Sequence, residues 1–224
     1  MKHQIALALA LAAAPFAASA QHSYTYVEGG YAQIKLDNVA EYGSPHTGVV
    51  RYKDLDTDGF FVGGSIELVG SLYAFGAYRD GSGDLESSWQ SPFTDAGYRV
   101  SIDADTTQYN LGLGYHWGLS DRTDLLAELS YYSTEVDVDV DTVFGDPAGL
   151  DGDDVRASVG VRHWMADSVE VWGKASFTDG DAYDQVVSGT LGLQWKLTEH
   201  WGLVGEIEGG GGYSQFPVGA RASF

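Results

Sequence analysis

QYNLGLGYHW, Gln108 to Trp117, places Tyr109, Leu111, Leu113, Tyr115 and Trp117 on one face of an extended chain and Gln108, Asn110, Gly112, Gly114 and His116 on the other. The alternation follows from strand geometry, in which successive side chains point to opposite sides. One face is wholly apolar; the other is small and polar. A half-buried strand of a soluble sheet shows the same alternation. The rest of the chain must therefore decide whether the apolar face meets a core or lipid.

Other strands repeat the pattern. Val155, Ala157, Val159 and Val161 oppose Arg156, Ser158, Gly160 and Arg162, and Val187, Gly189, Leu191, Leu193 and Trp195 oppose Val186, Ser188, Thr190, Gly192 and Gln194. A soluble sandwich would carry Lys, Glu and Thr on its polar face. Small residues with isolated charges suit the inside of a membrane barrel.

Period-two reading gives ten candidate strands, at 24–36, 59–69, 72–80, 106–117, 123–135, 154–164, 169–177, 185–196, 202–210 and 214–224. Most approach the roughly 9–11 residues of a tilted membrane-crossing strand. Short connections at 70–71, 118–122, 165–168 and 197–200 alternate with long acidic ones at 37–58, 81–105 and 136–153. The connections at 178–184 and 211–213 are shorter but fall on the long side. The expectation is an all-β, transmembrane, antiparallel up-and-down barrel of ten strands, with eight as the alternative. "LGLGYHW", "VGVRHW" and "LGLQWK" recur at spacings of 48 and 32 residues, which fits equivalent strands separated by unequal loops. Trp117, Trp164, Trp195 and Trp201 fall at the short-turn side and are expected to form the periplasmic aromatic girdle.

The first residues address the compartment. Lys2 and His3, the apolar run Ile5–Ala14 and Ala18-Ser19-Ala20 form a secretory signal peptide pattern over residues 1–20, with the barrel expected over 21–224. Without residues 1–20 the chain has 204 residues, 11 basic and 32 acidic, a formal charge of −21. That balance disfavours nucleic acid as a partner and leaves divalent cations open. There is no cysteine, so stability must come from a core or a closed sheet.

"YTYVEGGYAQ" at 24–33, Asp58-Gly59, "FGAY" at 75–78, "GLGYHW" and the terminal Phe224 resemble small bacterial outer-membrane β-barrel proteins of the OmpA/OmpX-like type. The likeness is greatest to a small xanthomonad outer-membrane protein family once proposed as a secreted signal. The resemblance implies that Phe224 is the assembly signal read by the barrel assembly machinery, and it carries no catalytic residue across.

Inward parity places Glu28, Glu67, Glu128, Arg156, Arg162, Lys174, Glu206, Glu208 and Arg221 in the lumen. They form either a salt-bridge network that fills the barrel or a charged constriction in a pore. "DLDTDG" at 54–59 offers Asp54, Asp56 and Asp58 as the first half of a calcium loop, but Ser65 stands where the bidentate Glu is required. Asp137, Asp139 and Asp141 share one face, and Asp179, Asp181 and Asp184 crowd another connection. They are either solvated acidic loops or collectors of the cations that bridge lipopolysaccharide. The pairs His116-Trp117, His163-Trp164 and His200-Trp201 do not converge by parity, so no metal centre or cofactor is expected.

No Gly-x-Ser-x-Gly or His-x-Ser occurs, and His46 with Asp54 or Asp56 is the nearest thing to an acid–base pair. The leading expectation is a non-enzymatic barrel with acidic extracellular loops for surface interaction or envelope integrity, partnered by outer-membrane lipid and lipopolysaccharide. A small solute channel is the alternative, and a lipid- or peptide-modifying enzyme the third. One tension remains in the fifth strand, where Leu125 to Tyr131 are apolar on odd numbers and Val136, Val138 and Val140 on even ones. Either a bulge near Ser133 shifts the phase, or Val136–Asp141 forms a hairpin above the membrane; the hairpin is expected, because three carboxylates sit badly at lipid depth.

Overall fold

The computed structural model describes residues 22–37, 40–44, 48–91, 93–94, 97–138 and 150–224. The signal-peptide segment, His46, Asp139 and Asp141 lie outside them.

Among the described residues, alternating side chains and turn residues produce twelve strand segments: β1 (Tyr26–Leu36), β2 (Ala40–Ser44), β3 (Gly48–Glu67), β4 (Leu72–Gln90), β5 (Gly97–Ser120), β6 (Thr123–Val138), β7 (Leu150–Ala166), β8 (Val169–Gly180), β9 (Val186–Lys196), β10 (Trp201–Gly210), β11 (Tyr213–Gln215) and β12 (Val218–Ser223). Each pairs antiparallel with its neighbours, and β1 closes the ring by pairing with β3 on one side and with β11 and β12 on the other. β11 and β12 are one stave interrupted at Phe216-Pro217. Pro217 has no N–H to give, yet its carbonyl still accepts from Glu206 N at 2.9 Å, and Phe216 N donates to Gln33 O at 2.9 Å. β2 only adds to the upper end of β3. The result is a closed barrel of ten antiparallel staves, as the sequence suggests, with no free edge at membrane depth.

Outside the barrel the apolar face is continuous. Leu111, Leu113, Leu129, Val159, Val187 and Leu191 are exposed although apolar, which is the arrangement lipid requires. From Tyr109 to Leu119 β5 runs roughly 33 Å at about 3.3 Å per residue, and a tilt of about 40° turns this into a height of about 25 Å, the thickness of an outer-membrane apolar band. Tyr31, Phe60, Tyr78, Tyr109, Tyr131 and Phe177 mark the upper limit of the band on β1, β3, β4, β5, β6 and β8. Phe60 meets Tyr78 at 6.0 Å and Tyr109 meets Tyr131 at 6.2 Å between ring centroids.

Above that ring the structure departs from the long-loop expectation. Much of 48–58, 81–90, 97–105 and 136–138 is strand, so the wall formed by β3 to β7 continues beyond the band. Gly97 lies twelve residues past Tyr109, whereas β8 ends three residues past Phe177 and β10 three past Ile207. The extension is therefore one-sided. Its polarity is also reversed: Leu55, Leu85, Ala104 and Val136 form a buried cluster facing inward with Leu36 packed against it, while Asp54, Asp58, Asp103, Asp105, Glu135 and Asp137 are exposed outward.

That reversal resolves the tension in the fifth strand, and corrects both alternatives. The β5–β6 register runs unbroken from Trp117↔Leu125 to Ala104↔Val138, so no bulge occurs near Ser133 and no separate hairpin begins at Val136. Even positions face inward throughout. Val136, only 1% exposed, is apolar because the wall has left the membrane, and an apolar filling there needs no lipid outside.

Candidate functional site

Inward residues fill the barrel in three tiers. The lowest is the periplasmic mouth, crossed by residues 22–25 before β1 begins. His22 and Tyr24 are buried there. His22 Nδ1 hydrogen-bonds Glu170, and its ring stacks on Trp164 at 5.6 Å. Tyr24 donates to Asp124 at 2.8 Å and stacks on His116 at 4.0 Å. Arg162 grips Glu170 through Nε at 2.6 Å and Nη2 at 2.8 Å, and donates from Nη1 to Ser23 O at 3.1 Å. Phe224 reaches this segment as well: Ser23 Oγ donates to Phe224 O at 2.8 Å and Phe224 N to Thr25 O at 2.9 Å. The segment acts as a stopper, pinned by an ion pair with no solvent access at Glu170.

The middle tier holds ion pairs. Arg221 Nη2 meets Glu28 at 2.6 Å and Lys174 meets Glu128 at 3.2 Å, with Tyr73 donating to Glu128 at 2.7 Å and Trp172 Nε1 to Glu206 at 2.7 Å. In the upper tier Arg156 donates to Glu208 at 2.7 Å, Thr178 at 2.8 Å and the Tyr132 and Tyr213 hydroxyls at 3.1 Å. Tyr213 donates to Glu208 in turn. A polar cavity of about 120 Å³ remains between the tiers, lined by Glu28, Glu128, Arg156, Lys174, Glu206 and Arg221 among others.

Gly192 shows how tightly this interior is filled. A Cβ there would stand 2.0 Å from Trp172 Cε2 and 2.3 Å from its Nε1. Gly192→Ala is expected to displace the indole, break its bond to Glu206 and cost about 1–3 kcal/mol. Tryptophan fluorescence and urea unfolding in lipid vesicles would register both changes, and an unaltered spectrum would refute the packing.

Of the nine charged residues placed in the lumen by parity, Glu28, Glu128, Arg156, Arg162, Lys174, Glu206, Glu208 and Arg221 line the interior, and Glu67 does not. The tryptophans divide. Trp117, Trp195 and Trp201 face outward, each about half exposed, whereas Trp164 is 7% exposed and lies inside, under the Lys196 ammonium at 4.4 Å. Trp164 is therefore no girdle residue; it shares inward parity with Arg162 on β7. Glu170 carries the same signal, two places from Trp172 on β8, and is the key residue that the sequence reading omits. Glu67 lies at the rim, exposed, 3.8 Å from His116 Nε2.

Asp54, Asp56 and Asp58 do not form a calcium loop. They alternate along one face of extended β3, about 6.6 Å apart, and Asp56 bonds Lys35 Nζ at 2.5 Å and Gln33 Nε2 at 3.1 Å. That bond raises the Lys35 pKa above its usual value. Among the described residues no three His, Asp or Glu side chains are grouped to hold a metal ion. The histidines disperse: His116 stacks inside on Tyr24, His163 bonds Thr123 Oγ1 at 2.9 Å on the outer face, and His200 bonds Ser223 O at 3.1 Å.

The pattern of the outer membrane protein β-barrel domain matches residues 5–216. The chain belongs to this family. Its place is the bacterial outer membrane, with the apolar band in lipid. Among solved structures the chain is similar to the β domain of the Bordetella autotransporter BrkA, at 12% identity over 91% of this chain and 100% of that one, with a TM-score of 0.55. It is also similar to the outer membrane protein OprG from Pseudomonas aeruginosa, at 9% identity over 92% and 99%, with a TM-score of 0.50. These likenesses concern the fold. No curated protein matches the chain in sequence.

Proposed function

We propose that the protein is a non-enzymatic outer-membrane barrel that acts through its outer surface, on lipopolysaccharide and the divalent cations held there. The observation that carries this reading is the one-sided extension. Its outward face sets carboxylates directly opposite one another, Asp56↔Asp84↔Asp103 across three strands, then Asp105↔Asp137 and Glu135↔Asp151. Like charges directly opposite on a sheet destabilise it. A surface that bears this cost just above the lipid is suited to divalent cations that bridge it to anionic headgroups.

The test combines Asp84→Asn with Asp103→Asn in the refolded chain. The double variant should be more stable than wild type in chelator, lose that advantage in magnesium, and associate less with lipopolysaccharide vesicles in magnesium. Equal association of the two proteins would defeat the proposal.

The interior supports a structural role for the charge network. The stopper below and the apolar cluster above obstruct the lumen, and Arg156, Arg162, Arg221 and Lys174 are each paired with a carboxylate. Planar bilayers containing the refolded 21–224 chain should stay silent. A second reading, a gated solute pore, draws on one feature: the stopper, residues 22–25, belongs to no strand of the barrel wall. Discrete conductance steps altered by Glu128→Gln or Lys174→Met would establish that reading instead. The nearest approach to a nucleophile beside a base is Thr123 with His163, a cross-strand pair; among the described residues nothing further orients that imidazole, which favours a non-catalytic role. Phe224, tied to the stopper, suits the assembly-signal role.

A further inference from the structure

Arg79, on β4, faces inward and is 9% exposed. Arg156, Arg162, Lys174 and Arg221 each reach a carboxylate, but no described carboxylate comes within ion-pair distance of Arg79. Its Nη1 donates to the Asn110 amide oxygen at a long 3.3 Å, and its Nε is buried with no partner among the described residues. Of the nearby carboxylates, Glu206 faces Arg79 across the smaller cavity but accepts from Trp172 Nε1 and does not reach the guanidinium, and the other two are engaged with other arginines. Glu208 takes Arg156, Ser188 and Tyr213, and Glu28 takes Arg221 through two nitrogens.

A guanidinium cannot shed its proton to escape burial. A buried charge without a counter-charge is strongly unfavourable. Arg79 lines the 120 Å³ cavity and also a smaller one of about 30 Å³. A chloride ion is close in size to a water molecule, which takes about 30 Å³ in the liquid. We propose that the barrel encloses a small monovalent anion of the halide class, held by Arg79 in the lumen.

The anion would be captured as the barrel closes, so folding equilibrium reads its binding. The full 21–224 chain is to be refolded from urea into lipid vesicles at constant ionic strength, with chloride exchanged for gluconate, which is too large for the cavity. Above the dissociation constant the folding equilibrium constant should rise about tenfold for each tenfold rise in chloride, and Arg79→Gln should abolish the slope. Equal wild-type stability in chloride and gluconate, or a slope retained by Arg79→Gln, would overturn the site and leave Glu206, across the smaller cavity, as the balancing charge. Should Arg79→Gln fail to fold, anomalous scattering from bromide-grown crystals of the wild-type barrel decides: a peak at the Arg79 guanidinium supports the site, and its absence refutes it.

Discussion

Glu170→Ala should destabilise the barrel by about 3–5 kcal/mol, because it leaves Arg162 buried and without its counter-charge. Three bonds depend on Glu170: the two from Arg162 and the one from His22. Its loss strands one charge and unpins the stopper. The pairing of Arg162→Met with Glu170→Leu should recover most of the stability, since apolar residues of similar volume often replace a buried ion pair at little cost. Urea midpoints of the two variants in vesicles give the comparison. A loss below about 1 kcal/mol for Glu170→Ala would mean that water already screens the pair. A double variant no better than the single one would mean that the stopper, rather than the stranded charge, dominates.

The second large effect is expected on the outer wall. Leu113→Arg places a cation near the middle of the band and should cost about 2–4 kcal/mol, whereas the same change near the interface costs about 0–1 kcal/mol. Asp103→Arg lies on the same face of the same strand but above the aromatic ring. It should be neutral or mildly stabilising, as it breaks the row formed with Asp84. The contrast between two residues ten apart measures where lipid ends. Similar outcomes for both would displace the band from the position drawn by the tyrosines.

The ten staves were legible because lipid outside and small residues inside impose a strict period of two. The same period placed eight of nine expected lumen charges inside, with Glu67 at the rim. It failed in two physically distinct ways. Trp164 and Glu170 carry the correct parity, but a tryptophan near a short turn suggests a girdle, and a lone carboxylate between two valines suggests a rim. Only the arrival of His22 and Arg162 from distant parts of the chain explains their burial. Val136 shows the other failure. A rule that equates apolar with outward holds only at lipid depth, and the sequence does not mark the point where the wall passes into water except through the ring of aromatics just below it. The stopper was invisible for a further reason: residues 22–25 belong to no strand, so no periodicity describes them.

The unequal height of the wall has a consequence for neighbours in the plane of the membrane. A barrel cut level all round offers every lateral partner the same rim. Here a molecule arriving against β3 to β7 meets a tall, negatively charged parapet, and one arriving against β8 to β10 meets a low edge over which the lipid surface is open. The protein thus has a front and a back, and its rotation about the membrane normal decides which of its neighbours it can touch.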